Sequence, residues 1–91
     1  MVQAKPWYVY IVQCSDGSFY TGITTDIKRR VKEHNSAKGC NYTRSRAPVE
    51  LLYEEPAADR RSALKREASI KSFSRSRKEE LVNYKCPTKR L

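Results

Sequence analysis

The sequence predicts a small α+β domain, a three-stranded antiparallel sheet flanked by helices in the order β-β-α-β-α-α. Two runs rich in aromatic and β-branched residues, Trp7 to Cys14 and Phe19 to Thr24, stand either side of Ser15-Asp16-Gly17-Ser18, which is the composition of a β-hairpin. Apolar residues at helical spacing follow Asp26 and again Asp59, and aspartate is among the residue types that cap helix N-termini. The length of 91 residues, 38% of them hydrophobic, supports one modest core and no second. Residues 1–85 are therefore expected to form a single domain and residues 86–91 a short C-terminal tail.

The first strand is apolar on both alternating sets, Trp7, Val9 and Ile11 against Tyr8, Tyr10 and Val12. It is expected to be central and covered on both faces. The hairpin has two registers open to it. A two-residue turn at Asp16-Gly17 pairs Tyr20 with Gln13 and puts Tyr10 and Tyr20 on opposite faces. A three-residue loop from Ser15 to Gly17, with Gly17 left-handed, pairs Tyr20 with Val12 and puts both tyrosines on one face.

Asp26 or Thr25 can cap a helix to about Lys38, with Ile27, Val31 and His34 as its apolar stripe. Gly39 to Pro48 reads as a loop, with Lys38, Arg44 and Arg46 around Tyr42. Val49 to Tyr53 is the expected third strand, closed by Pro56. Asp59 is the expected cap of a helix to about Phe73. Ser74 or Ser76 starts the last helix, to about Tyr84, and Ser76 with Glu79 matches a capping box.

Nineteen Lys and Arg against ten Asp and Glu give a net charge of +9, and a basic domain of this size attracts polyanions because each neutralised phosphate releases counterions. Lys28, Arg29, Lys38, Arg44, Arg46, Arg60 and Lys71 are the candidate backbone contacts. The stretch from Arg60 to Lys78 carries eight basic residues against Glu67 alone, a pattern suited to affinity without base reading.

No apolar run approaches the ~20 residues of a bilayer span, so no membrane partner is expected. Met1 to Gln13 lacks a small-residue cleavage site, and the cytoplasm is the expected location. Cys14, Cys40 and Cys86 are odd in number and widely separated, and the chain has one histidine. They read as reduced thiols with neither a structural zinc set nor a disulfide-linked partner. Nothing in the sequence indicates a protein partner.

Glu67 breaks the helical pattern. It projects between Ala63, Leu64 and Ile70, inside the apolar arc, where a carboxylate is costly unless it is paired, reaches solvent or binds a metal. Arg30 lies nearest the buried stripe of a cationic cluster with Lys28, Arg29 and Lys32, so its planar fork can be aimed at a phosphate. His34 is either a packed, hydrogen-bonded histidine or a base. Tyr8, Tyr10 and Tyr20 each suit sheet packing, but a phenol beside a metal-bound water and an arginine can also relay a proton.

Taken in order, Tyr8-Val9-Tyr10, Tyr20-Thr21-Gly22, Arg30, His34 and Glu67 resemble the GIY-YIG nuclease domain over about residues 6 to 84, most of all its small stand-alone bacterial members. The stretches YTGITTDIKRRVKEH and ALKRE carry the likeness. The resemblance implies a metal-dependent endonuclease hydrolysing DNA phosphodiester bonds, with repair or recombination as its setting and RNA open as a second substrate. Carried over, Tyr10 and Tyr20 are the motif tyrosines, Arg30 the arginine, His34 the histidine and Glu67 the ligand of one divalent cation, Mg²⁺ or Mn²⁺. The resemblance also favours the bulged hairpin register. Tyr8 and Thr21 replace the Gly and Ile of the family name, Ile23 stands where the repair branch has Lys, and Asn83 is the candidate for a C-terminal asparagine. The alternative reading is a nucleic-acid-binding module without useful turnover, against which the full set of Tyr10, Tyr20, Arg30 and Glu67 argues.

Overall fold

The computed structural model describes residues 6–36 and 41–85. Lys38, Cys40 and Cys86 lie outside the described residues. The chain forms β1 (Trp7–Gln13), β2 (Phe19–Thr24), α1 (Ile27–Asn35), α2 (Asn41–Arg44), β3 (Glu50–Ala57), α3 (Arg60–Lys71) and α4 (Arg75–Lys85). The sheet is antiparallel in the order β2-β1-β3, so β1 is central as its double-sided apolar pattern requires.

The hairpin takes the three-residue loop. Val12 pairs with Tyr20 and Gln13 with Phe19, and Gly17 closes the turn at φ 86, a left-handed conformation that glycine adopts without a β-carbon clash. Tyr10 and Tyr20 consequently share a face.

Two layers cover the sheet. Tyr10, Val12 and Cys14 pack with Val49, Ile27 and Val31 on the α1 side. Val9 and Ile11 pack with Leu52, Tyr53, Ala63, Ile70 and Val82 on the side of α3 and α4. β3 keeps register with both halves of β1 through a bulge, where Ile11 pairs with Tyr53 but Val12 with Leu51.

Caps explain the helix starts. Asp26 accepts from the Arg29 amide and Asp59 from the Ser62 amide, each cap contributing about 1 kcal/mol. At the last helix Ser74 is the capping residue, accepting from the Arg77 amide at 3.2 Å. The expected Ser76–Glu79 box does not form, because the Glu79 carboxylate pairs with Arg75 at 3.0 Å instead.

Three expected boundaries differ. α1 ends at Asn35, whose side-chain amide bonds both the N–H and the C=O of Val49 at 2.5 and 3.1 Å and so ties the helix end to the start of β3. The expected loop contains the helical turn α2. β3 runs through Pro56 to Ala57, which an edge strand tolerates because its outer backbone groups need no partner.

Candidate active site

The site is built from the α1 face of the hairpin. Gly22 is the cross-strand partner of Tyr10, and its lack of a side chain lets the Tyr10 ring lie over it. This aims the Tyr10 hydroxyl at α1, where it meets His34 Nε2 at 2.8 Å. His34 is fully buried, and its second ring nitrogen, Nδ1, lies 2.6 Å from Thr43 Oγ1 on α2. Both nitrogens are engaged, which fixes the ring.

Arg30, one turn before His34, is held by Glu33 at 2.8 Å. Burial works against its charge, but the bonded Glu33 carboxylate and the nearby Tyr10 oxygen hold its pKa above the ordinary arginine value. It is a permanent cation with N–H donors to spare beside the Tyr10 oxygen. Burial, and then the charge of Arg30, push the His34 pKa below the ordinary value, with Glu33 opposing them. A neutral imidazole follows.

Tyr20 lies against the same group, its ring 5.4 Å from His34 and 6.4 Å from Tyr10. Because β2 is an edge strand, Tyr20 is also where the two layers meet. Tyr42 of α2 stacks on it at 5.7 Å, and Lys71 of α3 brings its ammonium to 5.8 Å from the Tyr20 ring. That ammonium is 3.5 Å from a Glu67 carboxylate oxygen. Glu67 is thus brought to the β2 edge from the opposite layer. α3 is fixed in turn by Arg66, which bonds Glu55 at 2.9 Å while Glu55 also accepts from the buried Tyr53 hydroxyl.

Glu67 is only 18% exposed at its side chain, as its place in the apolar arc requires. The arc itself is narrower than its spacing indicates, since Leu64 is exposed. Among the described residues no three His, Cys, Asp or Glu gather into a metal cage. A lone, half-sheltered carboxylate suits a hard cation that keeps most of its waters, such as Mg²⁺, and not Zn²⁺, which wants several N or S ligands.

The basic residues divide. Lys28 and Arg29 are exposed on α1 and Arg44 on α2, flanking the site. Arg46 serves structure, with its guanidinium 4.2 Å over the Tyr42 ring and its Nε bonded to Asp16 at 3.0 Å. Arg60 is at the far end of α3 from Lys71, 6.0 Å from the Trp7 ring. Tyr8 is half-buried on β1, two residues before Tyr10 and on the same face by strand alternation. Asn83 is exposed on α4, on the other layer from His34.

Comparison with known proteins decides the family. The GIY-YIG catalytic domain matches this chain over residues 6–80. The chain belongs to the GIY-YIG nuclease family. Among its GIY-YIG relatives, a UPF0213 protein of Desulfotalea psychrophila is 62% identical over 77 residues, which cover 84% of this chain and 70% of that protein. The solution NMR structure of a UPF0213 protein from Bacillus halodurans superposes with a TM-score of 0.58 at 46% identity, covering 88% of this chain and 85% of that one. That of an E. faecalis protein gives 0.61 at 42% identity, covering 92% and 90%. Membership of this nuclease family implies a nucleic-acid substrate, and no helix among the described residues is long and apolar enough to cross a membrane.

Two residues at the site escape a reading of the sequence. Thr43 meets His34 from α2, and a single threonine among basic residues carries no spacing signal. Glu33 hides in a run of cations, where only its three-residue offset from Arg30 could have pointed to the ion pair.

Proposed function

We propose that this chain is a divalent-metal-dependent endonuclease that hydrolyses phosphodiester bonds in DNA. The observation that carries the reading is the bond from the Tyr10 hydroxyl to His34 Nε2 at 2.8 Å, next to the Arg30 guanidinium. A ring nitrogen behind a phenol, with a guanidinium nearby, supports reading the three as proton acceptor, relay and phosphate-binding fork.

In this mechanism Arg30 binds the scissile phosphate with the N–H groups that Glu33 leaves available, and it neutralises charge as the phosphorus becomes five-coordinate. A water on the Tyr10 side attacks in line. Its proton passes to the Tyr10 oxygen as the Tyr10 proton moves to His34 Nε2, and the P–O bond opposite the water breaks, its electron pair leaving on the sugar oxygen, which takes a proton from solvent. Tyr20 closes the ring cluster on its open side and limits access of solvent to His34. Glu67 is the residue that would hold the cation, which when bound supplies positive charge at the phosphate oxygens. Lys28, Arg29 and Arg44 supply backbone affinity around this point, and Lys71 does so from the α3 side.

DNA repair or recombination is the setting such an activity serves, and the cytoplasm is its place. A folded chain is to be tested on duplex, single-stranded and branched DNA at low salt, with Mg²⁺ or Mn²⁺ and with chelator. Cleavage that needs the metal and disappears in Arg30→Ala and Glu67→Ala is the expected result. Salt-sensitive binding without cleavage under any of these conditions would instead favour a binding module.

A further inference from the structure

We propose that Thr43 is a positioning residue for the hydrolytic site, holding His34 in the tautomer whose Nε2 lone pair faces the Tyr10 hydroxyl. Its consequence for cleavage rests on the mechanism above. Its consequence for the ring does not.

Hydrogen-bond direction carries the inference. The Tyr10 hydroxyl lies 2.8 Å from His34 Nε2, and a phenol beside the donor-only guanidinium of Arg30 is best served by turning its lone pairs to that cation and its proton to the ring. In the proposed arrangement His34 Nε2 is the acceptor of that proton and carries no hydrogen itself. A neutral imidazole then has its one N–H at Nδ1, and Thr43 Oγ1 at 2.6 Å accepts it. Thr43 is completely buried, so no solvent replaces it there.

The setting of Thr43 is rigid. Its carbonyl accepts from the Arg46 amide at 3.0 Å, and the Arg46 carbonyl accepts from Ser15 in the hairpin loop at 2.8 Å. Arg46 also bonds Asp16 and the Tyr42 carbonyl through its side chain. The short helix α2 is therefore clamped to the same hairpin that carries Tyr10 and Tyr20, and the acceptor for Nδ1–H stays in register with the phenol on the other side of the ring. Without that acceptor, a buried Nδ1–H has no partner. The proton then favours Nε2, where it faces the Tyr10 oxygen and blocks transfer from the phenol.

His34 is the only histidine in the chain, so its ring nitrogens give one unambiguous set of ¹⁵N NMR signals. The experiment records them for the wild type, Thr43→Val and Thr43→Ser, and measures kcat and KM for DNA cleavage on the same samples. The expected result is the Nδ1–H tautomer in the wild type and the serine variant, with a shift towards Nε2–H in the valine variant. With it, kcat falls about ten-fold or more in Thr43→Val while KM changes by less than about two-fold, and Thr43→Ser restores kcat. An Nε2–H ring in the wild type would overturn the proposal, and this holds even where the valine variant does not fold. So would a valine variant that keeps the wild-type tautomer or the wild-type kcat. The ring is observed without DNA, so a wild type that shows Nδ1–H but never cleaves counts against the nuclease mechanism and leaves the positioning of His34 by Thr43 standing.

Discussion

The Tyr10 ring lies so close to the backbone of Gly22, its partner on β2, that a β-carbon there would stand 2.6 Å from the Tyr10 hydroxyl oxygen and 2.8 Å from the ring carbon that bears it. Gly22 has no left-handed φ to require a glycine. What it supplies is room, and the room sets the direction in which the phenol reaches His34. Gly22→Ala is therefore expected to displace the ring, break the bond to His34 and destabilise the domain by about 1–3 kcal/mol. Denaturant unfolding and the His34 ring signals check both effects, and an alanine variant with wild-type values would show that the ring can shift freely.

On the other face of β2, Thr21 is buried and its hydroxyl finds no hydrogen-bond partner among the described residues. It pairs with Ile11, on the side covered by α3. Valine has nearly the same shape and removes the unpaired group, so Thr21→Val should stabilise the fold by about 1–3 kcal/mol. For a domain of this size each kcal/mol raises Tm by roughly 4–8 °C. Thermal unfolding reads the gain, and DNA cleavage should be unaffected because the change lies across the sheet from Tyr10.

Much of this arrangement is legible in the residues alone. The double-sided pattern of β1 fixes it as the central strand, and Asp26 and Asp59 mark two helix starts. The hairpin register is not legible that way, because both turns satisfy Gly17 and differ only in which face Tyr20 takes. Pro56 misleads as a stop signal, since whether proline ends a strand depends on whether that strand is at an edge. Glu67 is conspicuous as a carboxylate in an apolar arc, and its salt bridge to Lys71 accounts for its tolerance in the folded chain. Thr43 is invisible because its role depends on a contact made only by the folded chain, and Glu33 has no signal beyond its three-residue offset from Arg30.

The buried, neutral state of His34 makes stability depend on pH. Its native pKa lies below the ordinary value of 6.5, through burial first and the facing charge of Arg30 second, against the opposing carboxylate of Glu33. The unfolded chain then binds more protons than the native one at mildly acidic pH. This contribution is fully present above pH ~6.5, and it is lost as pH falls through the lowered native value. Urea unfolding at a series of pH values, compared between the wild type and His34→Gln, should show this slope in the wild type and its loss in the variant.

The Lys71 ammonium, 3.5 Å from Glu67, competes with any cation for that carboxylate. Lys71→Met is therefore expected to lower the Mn²⁺ concentration for half-saturation several-fold, and Glu67→Gln to raise it beyond the measurable range. Calorimetric titration of the folded variants with Mn²⁺ alone reads both. Equal affinity in the wild type and Glu67→Gln would remove Glu67 as the ligand.

The proposed hydrolysis depends on the Tyr10 hydroxyl relaying the proton of the attacking water. Tyr10→Phe keeps the ring over Gly22 and removes only that oxygen. The most direct measurement is its cleavage rate under single-turnover conditions, with DNA affinity determined in parallel. A loss of about 10²-fold or more in rate is expected, with affinity close to that of the wild type. A phenylalanine variant that cleaves at the wild-type rate would contradict it.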